Sequence, residues 1–193
     1  MNDSTPPDDG AEVIAFRDAA AFDRWLAANV DRHAGVWLKL AKKASGIPSM
    51  TSNEAVDVGL CHGWISGQRR SYDDTYYLQK YVPRRPGSRW SQVNVAKVEE
   101  LTAAGRMRPA GLAEVEAARA DGRWDAAYVS QKEATVPPDL AAALAANHSA
   151  GAAFAALGRT DRYAVILDLA TARTDAARAR RLDRAVSRLA TGE

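Results

Sequence analysis

The sequence predicts an α+β protein: a small, mainly antiparallel sheet with helices in the N-terminal part, followed by an all-helical C-terminal region. Three observations predict it. Residues 36–40 and 64–82 are rich in Trp, Tyr and Val over strand-length runs. Strand signals fade after Ser91, and from Asp139 onward Ala, Leu and Arg recur at helical spacing.

Met1 to Gly10 is acidic and proline-bearing and is expected to stand outside the fold as a mobile tail. Glu12 to Phe16 reads as a short strand, and Asp18 as the cap of a helix whose apolar face holds Ala21, Phe22, Trp25 and Leu26. A second strand, Val36 to Leu40, precedes a loop with Gly46 and Pro48. Thr51 and Glu54 have the spacing of a capping box and open a helix that runs to about Cys61. Trp64 to Tyr72 and Thr75 to Val82 follow as a hairpin around a two-residue Asp73-Asp74 turn, and Pro83 and Pro86 end the pairing.

Ser91 is placed to cap a helix bearing Val95, Val98 and Leu101, which Gly105 stops. Pro109 suits the first turn of the next helix, and Asp121-Gly122 ends it. The polar stretch 131–138, ending in Pro137-Pro138, reads as a linker between an α+β domain at 11–130 and a helical region at 139–193. Breaks at Asn147-His148, Gly158-Arg159 and Arg173-Thr174 divide that region into helices. The last of them places Ala179, Leu182, Val186 and Leu189 on an apolar stripe beside a basic one of Arg181, Arg184 and Arg188.

With 193 residues, 47% of them hydrophobic, the chain has enough apolar material for a proper core. A net charge of only +2 favours neither nucleic acid nor membrane in bulk, so any basic effect must be local. The single Cys61 excludes an internal disulfide and suits a reducing compartment. The N-terminus lacks the pattern of a secretory signal, and no apolar run approaches the roughly 18 residues of a membrane span. A cytoplasmic location without membrane insertion is expected.

The densest chemical feature is CHGWISGQRRSYDDTYYLQKYVPRRPGSRWS, residues 61–91. Its rings and cations face only two acids, Asp73 and Asp74, which is the composition of a binding face for an anionic or aromatic ligand. If the turn is only Asp73-Asp74, one face of the hairpin collects Trp64, Gln68, Arg70, Tyr77, Gln79 and Tyr81, while Ile65, Leu78 and Val82 contact the core from the other. Arg84, Arg85 and Arg89 would then form the rim of a pocket and Trp90 its wall. The alternative is a sheet that uses Tyr and Trp structurally, with its arginines solvated.

Cys61 and His62 are adjacent, and helical neighbours diverge too far for a thiolate and its base. His33, His62 and His148 have no metal-ligand spacing. There is no P-loop, G-x-S-x-G elbow or dinucleotide fingerprint, so no cofactor and no catalytic group is assigned.

The segments LCHGWISGQRR, YYLQKYVPRRPGSRWS and GRMRPAGLAEVEAARADGRWD resemble the YdeI/OmpD-associated, or bacteriocin-protection, family. ALAANHSAGAAFAALGR and ARARRLDRAVSRLATGE are similar to its C-terminal helical region. Ser66 stands where the family pattern has Asp, so no role of that acid carries over. The resemblance implies a bacterial accessory protein linked to envelope stress or tolerance of antimicrobial peptides, and no particular reaction. The sequence is thus read as a non-enzymatic protein that binds an anionic or aromatic small molecule or a partner's acidic segment. The alternatives are an enzyme for a phosphorylated or carboxylated substrate, with Tyr77 or His62 as proton donor, and a nucleic-acid binder.

Overall fold

The computed structural model describes residues 8–30, 34–172 and 174–192. His33, Arg173 and tail residues 1–7 lie outside that set. The chain divides into two compact units, residues 1–88 with 94–121 and residues 89–93 with 122–193.

In the first unit, four strands form one sheet: β1 (Glu12–Ile14), β2 (Val36–Ala41), β3 (Trp64–Ser71) and β4 (Tyr76–Pro83), in the order β1-β2-β4-β3. β1 runs parallel to β2, and the other pairings are antiparallel. Two helices pack on one face. α1 (Ala19–Ala28) starts where Asp18 accepts a hydrogen bond from the Ala21 amide at 2.7 Å, and it buries Phe22 and Leu26. α2 (Ser52–Cys61) opens with the capping box: Glu54 N–H donates to Thr51 Oγ1 at 3.2 Å, and Thr51 N–H donates back to the Glu54 carboxylate at 2.8 Å. The core joins Phe22, Leu26, Val36, Leu38, Leu40 and Val58 to Trp64, Tyr77 and Tyr81.

α3 (Gln92–Ala103) and α4 (Pro109–Ala120) follow, with Pro109 in the first turn of α4. α4 crosses the C-terminal end of α2 at backbone distance. The Arg108 amide donates to the Cys61 carbonyl at 3.0 Å, and a Cβ at Gly111 would overlap that same carbonyl.

The second unit holds α5 (Pro138–Ala146), α6 (His148–Ala156), α7 (Arg159–Ala170) and α8 (Asp175–Thr191) around Leu140, Phe154, Val165, Ile166, Leu169 and Ala185. Residues 89–93 join it through a bridge in which Tyr128 N–H donates to the Trp90 carbonyl and Gln92 N–H to the Tyr128 carbonyl. Arg178 of α8 ties three helices together. Its fork grips the Asp139 carboxylate at 2.7 and 2.9 Å, and its third nitrogen donates to the Leu169 carbonyl at 2.9 Å.

The helix breaks and caps follow the sequence reading closely, but four details differ. The hairpin loop spans residues 72–75, closed by Asp73, whose Oδ1 accepts from the Thr75 and Tyr76 amides at 2.8 and 2.6 Å. Of the expected tail, Asp9 is anchored: its carboxylate accepts from Trp37 Nε1 at 3.1 Å and Lys80 Nζ at 2.8 Å. The polar stretch 131–138 falls within the second compact unit, and Ala134 packs on its core. On α8, Ala179 is exposed, and Ala185 instead is the buried small residue.

Two stability outcomes follow from these contacts. Gly111→Ala should cost about 1–3 kcal/mol, because the methyl has backbone rather than a yielding side chain to displace; chemical denaturation should show a lower midpoint at unchanged slope. Arg178→Lys keeps the charge but loses the fork, and should cost roughly 1–2 kcal/mol after allowing for partial solvent screening. An unchanged thermal melt of that variant would remove Arg178 as the tie.

Candidate functional site

Alternation puts Tyr77, Gln79 and Tyr81 of β4 on the sheet face that meets the helices. On β3 the register runs Trp64↔Pro83, Ile65↔Val82 and Ser66↔Tyr81, then shifts to Arg69↔Gln79, Arg70↔Leu78 and Ser71↔Tyr77. The shift is a β-bulge at Gly67-Gln68. The Gln79 side chain stabilises it by donating from Nε2 to both bulge carbonyls, at 2.9 and 3.1 Å. Beyond the bulge the faces exchange. Arg69, not Arg70, shares the face of Tyr77, and its guanidinium lies 3.9 Å from the Tyr77 ring centroid.

Arg69 and Tyr77 line a cleft of about 590 Å³ at the N-terminal end of α2. Lys42 and Lys43 border it from the end of β2 and the 3-10 turn that follows, with Ser49, Ser52 and Asn53 opposite. Lys42 is steadied by donating to the Asp73 carbonyl at 2.6 Å, while Lys43 and Arg69 are exposed. The capping box employs the Glu54 amide, which leaves the amides of Ser52 and Asn53 without an acceptor among the described residues. Among those residues no carboxylate lines the cleft. Three cations, two amide donors at the positive end of a helix and an aromatic edge converge on one space.

The predicted pocket is divided by this geometry. Trp64, 3% exposed, packs edge-on against Trp25 at 6.1 Å, and Tyr81, 1% exposed, packs against Phe22 at 5.6 Å; both rings are core. Burial pushes the Tyr81 phenol well above its usual value, and its hydroxyl has no hydrogen-bond partner among the described residues. Gln79 holds the bulge, Gln68 offers it a carbonyl, and Arg70 stands on the opposite face. Arg84 and Arg85 lie seven and eight residues beyond Tyr77, roughly 23 Å or more along an extended chain, so they cannot rim the same cleft. Arg84 is buried, with its amide on the Gly63 carbonyl at 2.9 Å. Arg89 and Trp90 belong to the second unit, where Trp90 packs against Trp124 at 5.0 Å. The face expected to stand open thus carries core rings, because Tyr81 and Tyr77 pair with Val36 and Leu40 across the sheet and Trp64 packs into the same core.

Sequence reasoning missed Lys42, Lys43, Ser49, Asn53 and Arg69. The pattern that could have pointed to them is a Lys-Lys pair followed by Gly, Ser and Thr immediately before a capping box. The bulge, which decides between Arg69 and Arg70, has no comparable local signature.

At the other end of α2 a second polar cluster forms. Asp23 accepts a hydrogen bond from His62 Nε2 at 2.8 Å and from Arg108 Nη2 at 2.9 Å, beside a cavity of about 380 Å³ that also touches Cys61 and Arg106. Burial alone would raise the Asp23 carboxyl, but the bonds from His62 and Arg108 outweigh it and hold it below the usual range. Burial pushes the Cys61 thiol up, which keeps it protonated and a poor nucleophile. A helix of ten residues separates His62 from the Tyr77 cleft by about 15 Å.

Residues 14–114 match the family model described as a domain of unknown function (DUF8412), which covers more than half of the chain. The chain belongs to that family. Residues 133–192 match the model described as bacteriocin-protection, YdeI or OmpD-associated. The likeness read from the sequence is therefore shown on the C-terminal helices, while the hairpin segments that also suggested it fall within the domain of unknown function. No curated protein and no solved structure gives a significant match.

The depressed Asp23 carboxyl sets a pH dependence. Its contribution to stability is complete above the ordinary carboxyl value near pH 4 and is lost as pH falls through the lower folded value. Thermal melts of wild type and Asp23→Asn should differ at pH 7 and draw together as pH falls into strong acid; a gap of undiminished size there would mean the carboxylate charge contributes nothing.

Proposed function

We propose that the N-terminal unit is a non-enzymatic binding module for a small anion with a flat or apolar body, held in the cleft between the start of α2 and the hairpin. One observation carries this reading: Lys42, Lys43, Arg69 and the free amides of Ser52 and Asn53 converge on one space without a lining carboxylate, beside the edge of Tyr77. Lysine and arginine supply charge, the helix start supplies directed donors, and the ring gives contact area to the ligand's body. The match of residues 133–192 to the bacteriocin-protection, YdeI or OmpD-associated model supports reading this binding as part of an accessory role in bacterial tolerance of bacteriocins or envelope stress.

An enzyme acting on a phosphorylated or carboxylated substrate in the same cleft would have to rely on Tyr77, since His62 is engaged with Asp23 at the far end of α2. Binding without turnover is the simpler use of this donor set.

Phenyl phosphate serves as the probe. At a hundredfold excess over Kd it should stabilise the protein by roughly 2.7 kcal/mol, a rise in melting temperature of several degrees and larger than with inorganic phosphate alone. Lys43→Ala with Arg69→Ala should abolish the rise, and Arg85→Ala should leave it intact. An equal rise in the double variant would sink the assignment, and release of phenol would favour the enzymatic reading.

A further inference from the structure

In the C-terminal unit, α7 and α8 leave between them a groove of about 520 Å³. Its floor is made of the small, exposed Ala164 beside the buried Val165 and Ala185, and Leu157 with Leu189 gives one end an apolar wall. The α8 residues that line it are 181, 184, 185, 188 and 189, a single helical face.

The charges along this face are not equivalent. Arg181 donates to both the Asp168 carbonyl and its carboxylate, at 2.6 and 3.1 Å, which fixes one end of the groove. Arg184 and Arg188, three and seven residues further on, are exposed and have no acceptor among the described residues. Asp161 lies on the α7 side. The groove therefore pairs an apolar, small-residue floor with one unneutralised basic rim.

We propose that this groove docks an amphipathic helix of a partner protein, one that presents small or branched apolar residues to Ala164 and Ala185 and Asp or Glu to Arg184 and Arg188. A helix fits because two packed helices offer ridges and grooves into which a third one's i, i+3, i+4 and i+7 side chains interdigitate. The acidic character of the partner follows from charge complementarity with Arg184 and Arg188. An anionic membrane fits less well, since a plane does not fill a concave groove. In a second copy of this chain, α8 would bring arginines against arginines.

The test uses the full chain and a fluorescent synthetic peptide of about eighteen residues, with Leu and Ala on one helical stripe and Glu flanking it. A control peptide replaces Glu by Lys. The acidic peptide should bind at least about tenfold more tightly than the basic one, with affinity falling as salt rises. Arg184→Glu with Arg188→Glu should reverse that preference. Ala164→Phe should block both peptides by filling the floor, and since Ala164 is exposed the variant should still fold. Equal binding of the two peptides, no binding of the acidic one, or an undiminished affinity in Ala164→Phe overturns the proposal. So does an Arg184- and Arg188-dependent dimer in sedimentation, or preferential binding to phosphatidylglycerol vesicles, each of which names a different occupant.

Discussion

Side chains of a strand alternate between faces, so one extra residue reverses the faces of everything beyond it. In β3 that extra residue lies between Ser66 and Arg69, and the reversal lets one strand serve two ends of the sheet differently. Before the bulge, Trp64 points into the core and packs on Trp25. After it, Arg69 arrives on the same face as Tyr77, over its ring. An unbroken strand would put Arg70 there and send Arg69 to the face of Leu78 and Lys80. The side chain of Gln79 makes the irregularity tolerable, because its Nε2 donates to the two bulge carbonyls that the ladder would otherwise leave unbonded. A buried glutamine in a strand of rings is thus a structural requirement of the cleft.

α2 transmits that arrangement to both polar clusters. Its first turn is held by the reciprocal Thr51 and Glu54 bonds, so its remaining free amides point in a fixed direction. Its last turn is held by the Arg108 amide on the Cys61 carbonyl and by the Asp23 link to His62 and Arg108. Gly111 lets α4 come close enough to make this second clamp. A helix pinned at both ends gives donors at its start a defined geometry, and donors that need no reorganisation lose less free energy on binding.

The same logic explains what could be read in the sequence and what could not. Asp18, Thr51 with Glu54, Pro109 and Asp121 are local devices whose action extends over three or four residues, and each marks a helix end where it was expected. The breaks at Asn147, Gly158 and Thr174 are of the same kind. The pairing of β3 with β4 is a hairpin that turn and strand signals could reveal, but the bulge depends on a side chain across the ladder and leaves no periodic trace. The residues around the cleft come from the end of β2, a 3-10 turn, the start of α2 and the hairpin, which are separate in sequence and meet only in the fold. Composition located an aromatic and basic segment correctly as a feature, but burial divided it: Trp64 and Tyr81 pack inside, Arg84 is buried at the far end of β4, and Tyr77 alone of the predicted set lines the cleft.

A net charge of +2 suggests little electrostatic preference, yet net charge counts every ion alike. What matters for recognition is which charges already have a fixed partner. Lys97 is held by Asp57, Lys80 by Asp9, Arg108 by Asp23, Arg178 by Asp139 and Arg181 by Asp168, so these cations are largely neutralised where they stand. Each pair joins separate parts of its unit, which gives the carboxylates a structural role. Lys43 and Arg69 in one unit, and Arg184 with Arg188 in the other, are left facing a cleft and a groove. Two local basic sites can therefore coexist with a nearly neutral chain, and they differ in what they ask of an occupant: the first offers directed donors at a helix start beside a ring, the second an apolar floor with charge along one side.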